Sequence, residues 1–546
     1  MNDPPLVMQA QTKLLARSLT LVAASALLAA CNLITGADQF VIDDENGAGG
    51  DASSNGGSDA STGAAPAQGG APIVGEGGGT DDPPPPTTAD ATGVSVREVA
   101  FYQAVKSSVF SNGAPTEPSV DLVAGRQAVV RVFLDLATPS GSPVTARLTL
   151  GDTVLEQTVN SVMYSTDQTY GTTINFDVPA AAMNVGMTWS LALEEPYATG
   201  SDNPGARVAT TNLTVKASHT LKITLIPVMY GADGSNRVPD TSDNQVARYH
   251  DYFMTLYPTT DVRVQVGPTF QWDQSIDANG NGWDTLLNAL SEERSNASVD
   301  FDEYYYGVFE PAGSFNTFCG QGCVAGLGFI GDPNGEYSRA AIGLGYGGDV
   351  AAWTAVHEVG HNHGRPHSPC GGVSGADSNF PHSGGAIGVY GMNIFTHELV
   401  SPTYKDFMGY CDPNWISDYV FEKIFAFMRN TDSQAIVVPP EAQNQPYERI
   451  AVNGSSASFL TPMTMKRPPL GTIQDVTITT ADGTVKTVQG TFYAYDHLPG
   501  GVVFVKQPPS AIVAADLALD LGAIDAHTSG TVSPSAATLV KVRATR

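Results

Sequence analysis

Two long stretches of the chain are dominated by short runs in which apolar and polar positions alternate. From 94 to about 215 they include Ala128-Val129-Val130-Arg131-Val132-Phe133-Leu134 and Ala146-Arg147-Leu148-Thr149-Leu150, separated by Gly, Pro, Asn and Asp clusters. A period of two, punctuated by turns, predicts a β-sandwich. The same period returns after 433, at 476–479, 491–495 and 501–505, and predicts a small C-terminal β domain. Between these stretches the pattern changes. Segments 221–230, 261–266 and 303–309 read as strands, 244–256 and 283–293 as helices, and 340–344 as an edge strand. Asp349 caps a further helix that runs to about His363, and 415–428 forms a last one. Strands alternating with helices predict an α/β unit whose sheet is mixed and mostly parallel.

The length, 546 residues, is too great for one core and fits two to four domains. Residues 37–93 are mainly Gly, Ser, Ala, Asp and Pro, a composition that buries no core and predicts a flexible spacer. Lys+Arg 27 against Asp+Glu 55 gives a formal charge of -28, which repels phosphate backbones and argues against a nucleic-acid partner. The acidity is uneven: residues 32–93 hold ten acids and no Lys or Arg, as befits a solvated tether.

Lys13 and Arg17 precede an apolar run at 19–30, short for a membrane span and suited to a signal-peptide core. The run ends Leu28-Ala29-Ala30-Cys31, which resembles the bacterial lipobox. That resemblance implies removal of 1–30, lipidation of Cys31 and a membrane anchor; Asn32 after the Cys implies delivery to the outer membrane or cell surface. An ordinary signal peptide with a Cys beside its cleavage site is the alternative. The four remaining cysteines, Cys319, Cys323, Cys370 and Cys411, are an even set and predict two disulfides in an exported protein.

The most specific chemistry lies at His357-Glu358-Val359-Gly360-His361-Asn362-His363-Gly364-Arg365-Pro366-His367. Imidazoles four residues apart leave one helical face and reach a single ion. Gly364 permits the left-handed exit needed to turn the chain, Pro366 stops the helix resuming, and His367 returns as a third nitrogen ligand. Three protein ligands leave a fourth position open, the arrangement of a catalytic zinc site.

This is the H-E-x-x-H-x-x-G-x-x-H pattern, and the region 220–428 resembles the metzincin metallopeptidases. The arrangement of signal, linker, β domain, catalytic domain and β tail is similar to bacterial zinc metalloprotease lipoproteins. The resemblance implies zinc on His357, His361 and His367, with Glu358 as general base. It also implies a Met-turn, for which Met408 in Phe407-Met408-Gly409-Tyr410 is preferred over Met392, and an oxyanion role for Tyr410. Cys370 lies just past His367 and Cys411 just past Tyr410, so the pairing expected is Cys370–Cys411, leaving Cys319–Cys323. Strand 340–344 is then where an extended substrate pairs. His363 is read as an exposed histidine at a helix end, and His382 and His397 as surface residues of the insertion.

A weaker signal is Asp277-Ala278-Asn279-Gly280-Asn281-Gly282, which resembles the start of a calcium loop with oxygens from Asp277, Asn279 and Asn281. Asn288 stands at the twelfth position in place of Glu, and a turn leading into a helix is the competing reading. The domains expected are a signal peptide (1–30), a lipidated linker (31–93), an immunoglobulin- or fibronectin-like β-sandwich (94–217), a metzincin-like peptidase domain (218–432) and a C-terminal β domain (433–546). The fold class expected is multidomain, an α/β catalytic domain flanked by β domains. The function expected is a zinc metalloendopeptidase at the bacterial cell surface, acting on protein or glycoprotein substrates. The alternative is a surface adhesin or glycan-binding lipoprotein whose zinc domain is not catalytic.

Overall fold

The computed structural model describes residues 88–137, 142–196, 202–431, 438–520 and 539–546. The expected signal peptide, Cys31 and most of the linker lie outside the described residues.

Between 88 and 212 the alternating runs form two five-stranded antiparallel sheets. One is built on Val94–Tyr102 paired with Ala128–Leu136, the other on Val144–Leu150 paired with Thr188–Pro196. Inward residues from both, among them Phe101, Val130, Leu148 and Trp189, share a core. Thr145, Arg147 and Thr149 alternate with buried neighbours and stay half-exposed, as the pleat requires. Arg126 fastens this unit to the next. Its buried guanidinium donates to the carbonyls of Met254 and Thr255, in the last turn of the helix Asp243–Leu256, and of Thr259 just beyond it.

The middle of the chain is organised around Leu221–Tyr230. Val262–Val266 and Phe270–Trp272 pair with it in parallel, as does Glu303–Phe309 on its other side. Ala340–Leu344 continues the sheet in parallel, and Gly326–Gly328 closes it as an antiparallel edge. Strand 340–344 is therefore an inner strand, and the expected edge position passes to Gly326–Gly328. The helices Asp243–Leu256, Gly348–Asn362 and Asp418–Asn430 cover one face through Phe253, Val356, Val359, Phe421 and Phe425. Trp283–Asn296 covers the other through Trp283, Leu286 and Leu290.

The fold class needs correction. Among the described residues 40% are in strands against 18% in helices, and the sheets are largely antiparallel, so a mostly parallel α/β fold does not describe the protein. Long parallel pairs require crossover connections, and the sequence supplies helical crossovers only between 221 and 344; the sheets on either side are antiparallel. Nor is the C-terminal unit small. Eight antiparallel strands run from Gln445–Asn453 to Leu539–Thr545, and the strand Ser456–Phe459 comes back beside Leu539–Thr545, so the sheet is a nearly closed barrel. The barrel is not a detached tail either. Tyr447, Met463, Tyr493, Tyr495, Leu498 and Phe504 share a core with Trp283, Phe329 and Tyr337 of the central unit. Among the described residues no helix is long and apolar enough to cross a membrane.

Candidate metal centre

The helix Gly348–Asn362 carries the site. Asp349 stands in its first turn, where a carboxylate complements the positive helix end, and the Gln245 side chain accepts the Gly348 N–H at 2.9 Å. Ala352, Ala355, Val356 and Val359 bury one side, which fixes the azimuth at which His357 and His361 leave the other. Gly364 ends the helix with φ 74°, and a Cβ there would lie 3.0 Å from the Gly331 carbonyl oxygen. The chain therefore turns back and delivers His367.

Each of these three imidazoles is oriented from behind. The Nδ1–H of His357 donates to the Phe407 carbonyl at 2.7 Å, that of His361 to Arg365 at 2.5 Å, and that of His367 to Ser374 at 3.0 Å. The hydrogen bond fixes the tautomer, so every Nε2 presents a lone pair inward. His361 Nε2 lies 3.0 Å from His357 Nε2. Two nitrogens held tetrahedrally by zinc at roughly 2.0–2.1 Å are about 3.3 Å apart, so lone pairs at this spacing fit a shared cation. Burial holds all three imidazoles below the ordinary histidine range, His361 at about 4, which keeps them in the neutral, ligating form.

A fourth imidazole arrives from the barrel. His497 Nε2 lies 3.3 Å from His367 Nε2, and its Nδ1 lies 2.8 Å from Asp496 Oδ2. His357, His361, His367 and His497 offer ligand atoms within 4.8 Å of one another, and Glu358, His361, Asp496 and His497 form an overlapping set. This buried cluster can hold a metal ion. Asp496 and His497 escaped the sequence reading: they lie 130 residues beyond the motif, and an adjacent Asp and His in a β tail carry no metal-site spacing.

Glu358 is buried beside Asp496. Burial, and then the Asp496 charge, push its carboxyl well above the usual range. Burial also pushes Asp496 up, but its neighbours His497 and His361 outweigh that and bring it well below the usual carboxylate range. Gly326 makes room for that side chain, since a Cβ there would fall 2.3 Å from Glu358 Oε1.

Met408 is fully buried beneath the helix; a Cβ added at Gly360 would meet its Sδ at 2.5 Å. The turn is held by Asp406, whose carboxylate accepts the N–H groups of Met408 at 2.9 Å and Ser417 at 2.8 Å. Met392 lies elsewhere, packed with Tyr102, Val129 and Phe133 of the N-terminal sheets. Tyr410 OH lies 3.1 Å from His367 Nε2, at the mouth of the cluster. Cys370 bonds Cys411, tying the His367 loop to this turn, and Cys319 bonds Cys323 in the loop before the edge strand.

His363 is not exposed. Its ring stacks on Tyr304 at 4.7 Å, edges against Tyr257 and Phe427, and donates from Nδ1 to Val359 O at 2.8 Å. The aromatic residues close over a helix end that the sequence alone leaves open to solvent. His382 contacts Asp418, and His397 contacts Asp177 and stacks on Tyr170.

The expected calcium loop is satisfied by its own bonds. Asp277 accepts the N–H groups of Asn279 and Asn281 at 2.9 and 3.1 Å and the Asn281 side-chain amide at 2.6 Å. Asn288, at the twelfth position, is buried and donates to Tyr495 OH at 2.7 Å. The segment is a turn that leads into Trp283–Asn296. No protein-family model matches the chain, and no curated protein matches it in sequence.

Proposed function

We propose that this protein is a zinc-dependent endopeptidase, exported and held at the cell surface by a lipid on Cys31. The observation that carries the reading is the set of three imidazoles locked by Nδ1–H bonds to carbonyls, with Glu358 buried beside them. His357, His361 and His367 would hold the metal. Zinc in such a site acts as a Lewis acid that polarises a carbonyl and makes water nucleophilic near neutral pH. Glu358 takes the proton from the attacking water and hands it to the leaving amine, so one water is consumed for each peptide bond broken. Tyr410 is placed to donate from its hydroxyl to the carbonyl oxygen as negative charge builds there. The edge Gly326–Gly328 is where an extended substrate would pair once Asp496 leaves Gly328.

One observation favours a second reading. Among the motif residues, the pocket lined by Gly326, His357, Glu358, Phe407 and His497 leaves about 30 Å³, room for a water or two. A surface-binding protein with a structural metal would look the same in this respect. Zinc analysis and casein cleavage by the full-length chain, with and without chelator, test the proposal. One zinc with chelator-sensitive cleavage supports the peptidase. One zinc, no cleavage by the protein or any of its variants, and glycan binding that survives would favour the second.

A further inference from the structure

The end of the edge strand Gly326–Gly328 is already taken, at Gly328 and the two residues that follow it. Phe329 pairs with Tyr495 as an antiparallel bridge, Ile330 N–H donates to the Ala494 carbonyl at 3.0 Å, and Asp496 N–H donates to the Gly328 carbonyl at 3.2 Å. Gly328 N–H in turn donates to Asp496 Oδ1 at 3.0 Å. The segment 494–497 thus lies antiparallel to 328–330, where the edge strand ends, and finishes with an imidazole among the three motif histidines. Phe329 and Tyr495 pack at 5.3 Å between ring centres, which anchors the segment in the shared core.

We propose that His497 is a fourth protein ligand of the metal and that 494–497 occupies the place of a substrate strand, so that the described arrangement is a latent enzyme. This rests on the peptidase reading. Two observations converge on it. His497 lies as close to His367 as a co-ligand would. Asp496 stands against Glu358, where the attacking water needs the carboxylate free. A site closed by four protein ligands has no position for water or carbonyl, and catalysis requires 494–497 to withdraw.

The test uses the full-length chain loaded with cobalt(II), whose visible spectrum reports the ligand set, and a peptide hydroxamate as probe. His497→Ala should change the cobalt spectrum towards a site with water bound and should admit the hydroxamate. If the closed form makes up about 99% of the protein, opening it raises apparent affinity roughly 100-fold. Asp496→Ala, which leaves the imidazole in place and removes only the carboxylate that accepts the Gly328 N–H, should give a smaller gain and guards against misfolding of the first variant. Identical cobalt spectra for wild type and folded His497→Ala would overturn the ligand assignment. Equal hydroxamate affinity in wild type and both variants would overturn latency. Casein cleavage separates the two readings. An opened site that binds hydroxamate but cleaves nothing supports the plug and defeats the peptidase, whereas cleavage by wild type as fast as by His497→Ala defeats the plug alone.

Discussion

His497 reaches from the C-terminal barrel to within 3.3 Å of His367, its Nε2 facing that of a motif residue 130 positions earlier. The two are brought together by a core in which Tyr495 and Leu498 pack with Phe329 and Trp283. The barrel is thereby part of the metal site, and a protein lacking it would expose both the cleft and a large apolar surface.

His363 separates ligation from packing. Although it lies inside the motif, it is stacked on Tyr304 and held neutral by burial, at about 3. His363→Ala should leave metal stoichiometry unchanged while costing about 2–4 kcal/mol of stability, as loss of a buried ring does. Metal analysis beside urea unfolding checks this; loss of the metal from folded variant would contradict it.

Gly364 holds the turn that delivers the third ligand. A side chain there meets both a left-handed φ of 74° and the Gly331 carbonyl at 3.0 Å. Gly364→Ala should cost about 1–2 kcal/mol from conformation alone. Because His367 moves with the turn, metal affinity should fall roughly 10-fold or more. Chelator competition measures it.

Asp406 makes stability depend on pH. Burial pushes its carboxyl up to about 6 despite three favourable hydrogen bonds, while an unfolded Asp ionises near 3.9. The folded state therefore binds this proton more tightly. The group favours folding as pH falls from about 6 towards 4 and opposes it as pH rises through that window. Between pH 4 and 6.5 wild type should lose about 2 kcal/mol relative to Asp406→Asn. Urea midpoints of the two proteins across that range give the difference, and parallel curves would contradict the assignment.

How much of this was legible beforehand differs by feature. The i, i+4 histidines and the Gly364 exit are local and declare themselves through spacing, whereas Met408 is singled out only by the family resemblance. Pairing direction does not, because periodicity marks a strand and the connections decide its neighbours; hence the fold class was misjudged. The edge strand Gly326–Gly328 reads Gly-Leu-Gly, without β-propensity, and is a strand because Ala340–Leu344 offers it a partner. His497 and Asp496 were hidden for a related reason: only the closure of the barrel onto the central sheet brings them to the motif.

Cys370–Cys411 spans 41 residues and braces the loop that carries His367. Replacing both with Ser should cost about 4 kcal/mol in the chain-entropy account. The same double variant should release metal faster than wild type, which stopped-flow chelation measures. Unchanged release would mean that Gly364 and Ser374 alone hold the loop.

The most direct test of the peptidase compares His497→Ala with His497→Ala/Glu358→Gln in the full-length chain, reading zinc content and casein cleavage together. One zinc in each protein is expected, with cleavage in the first and a loss of about 100-fold or more in the second. Equal cleavage by the two, or no zinc in either, would contradict the account.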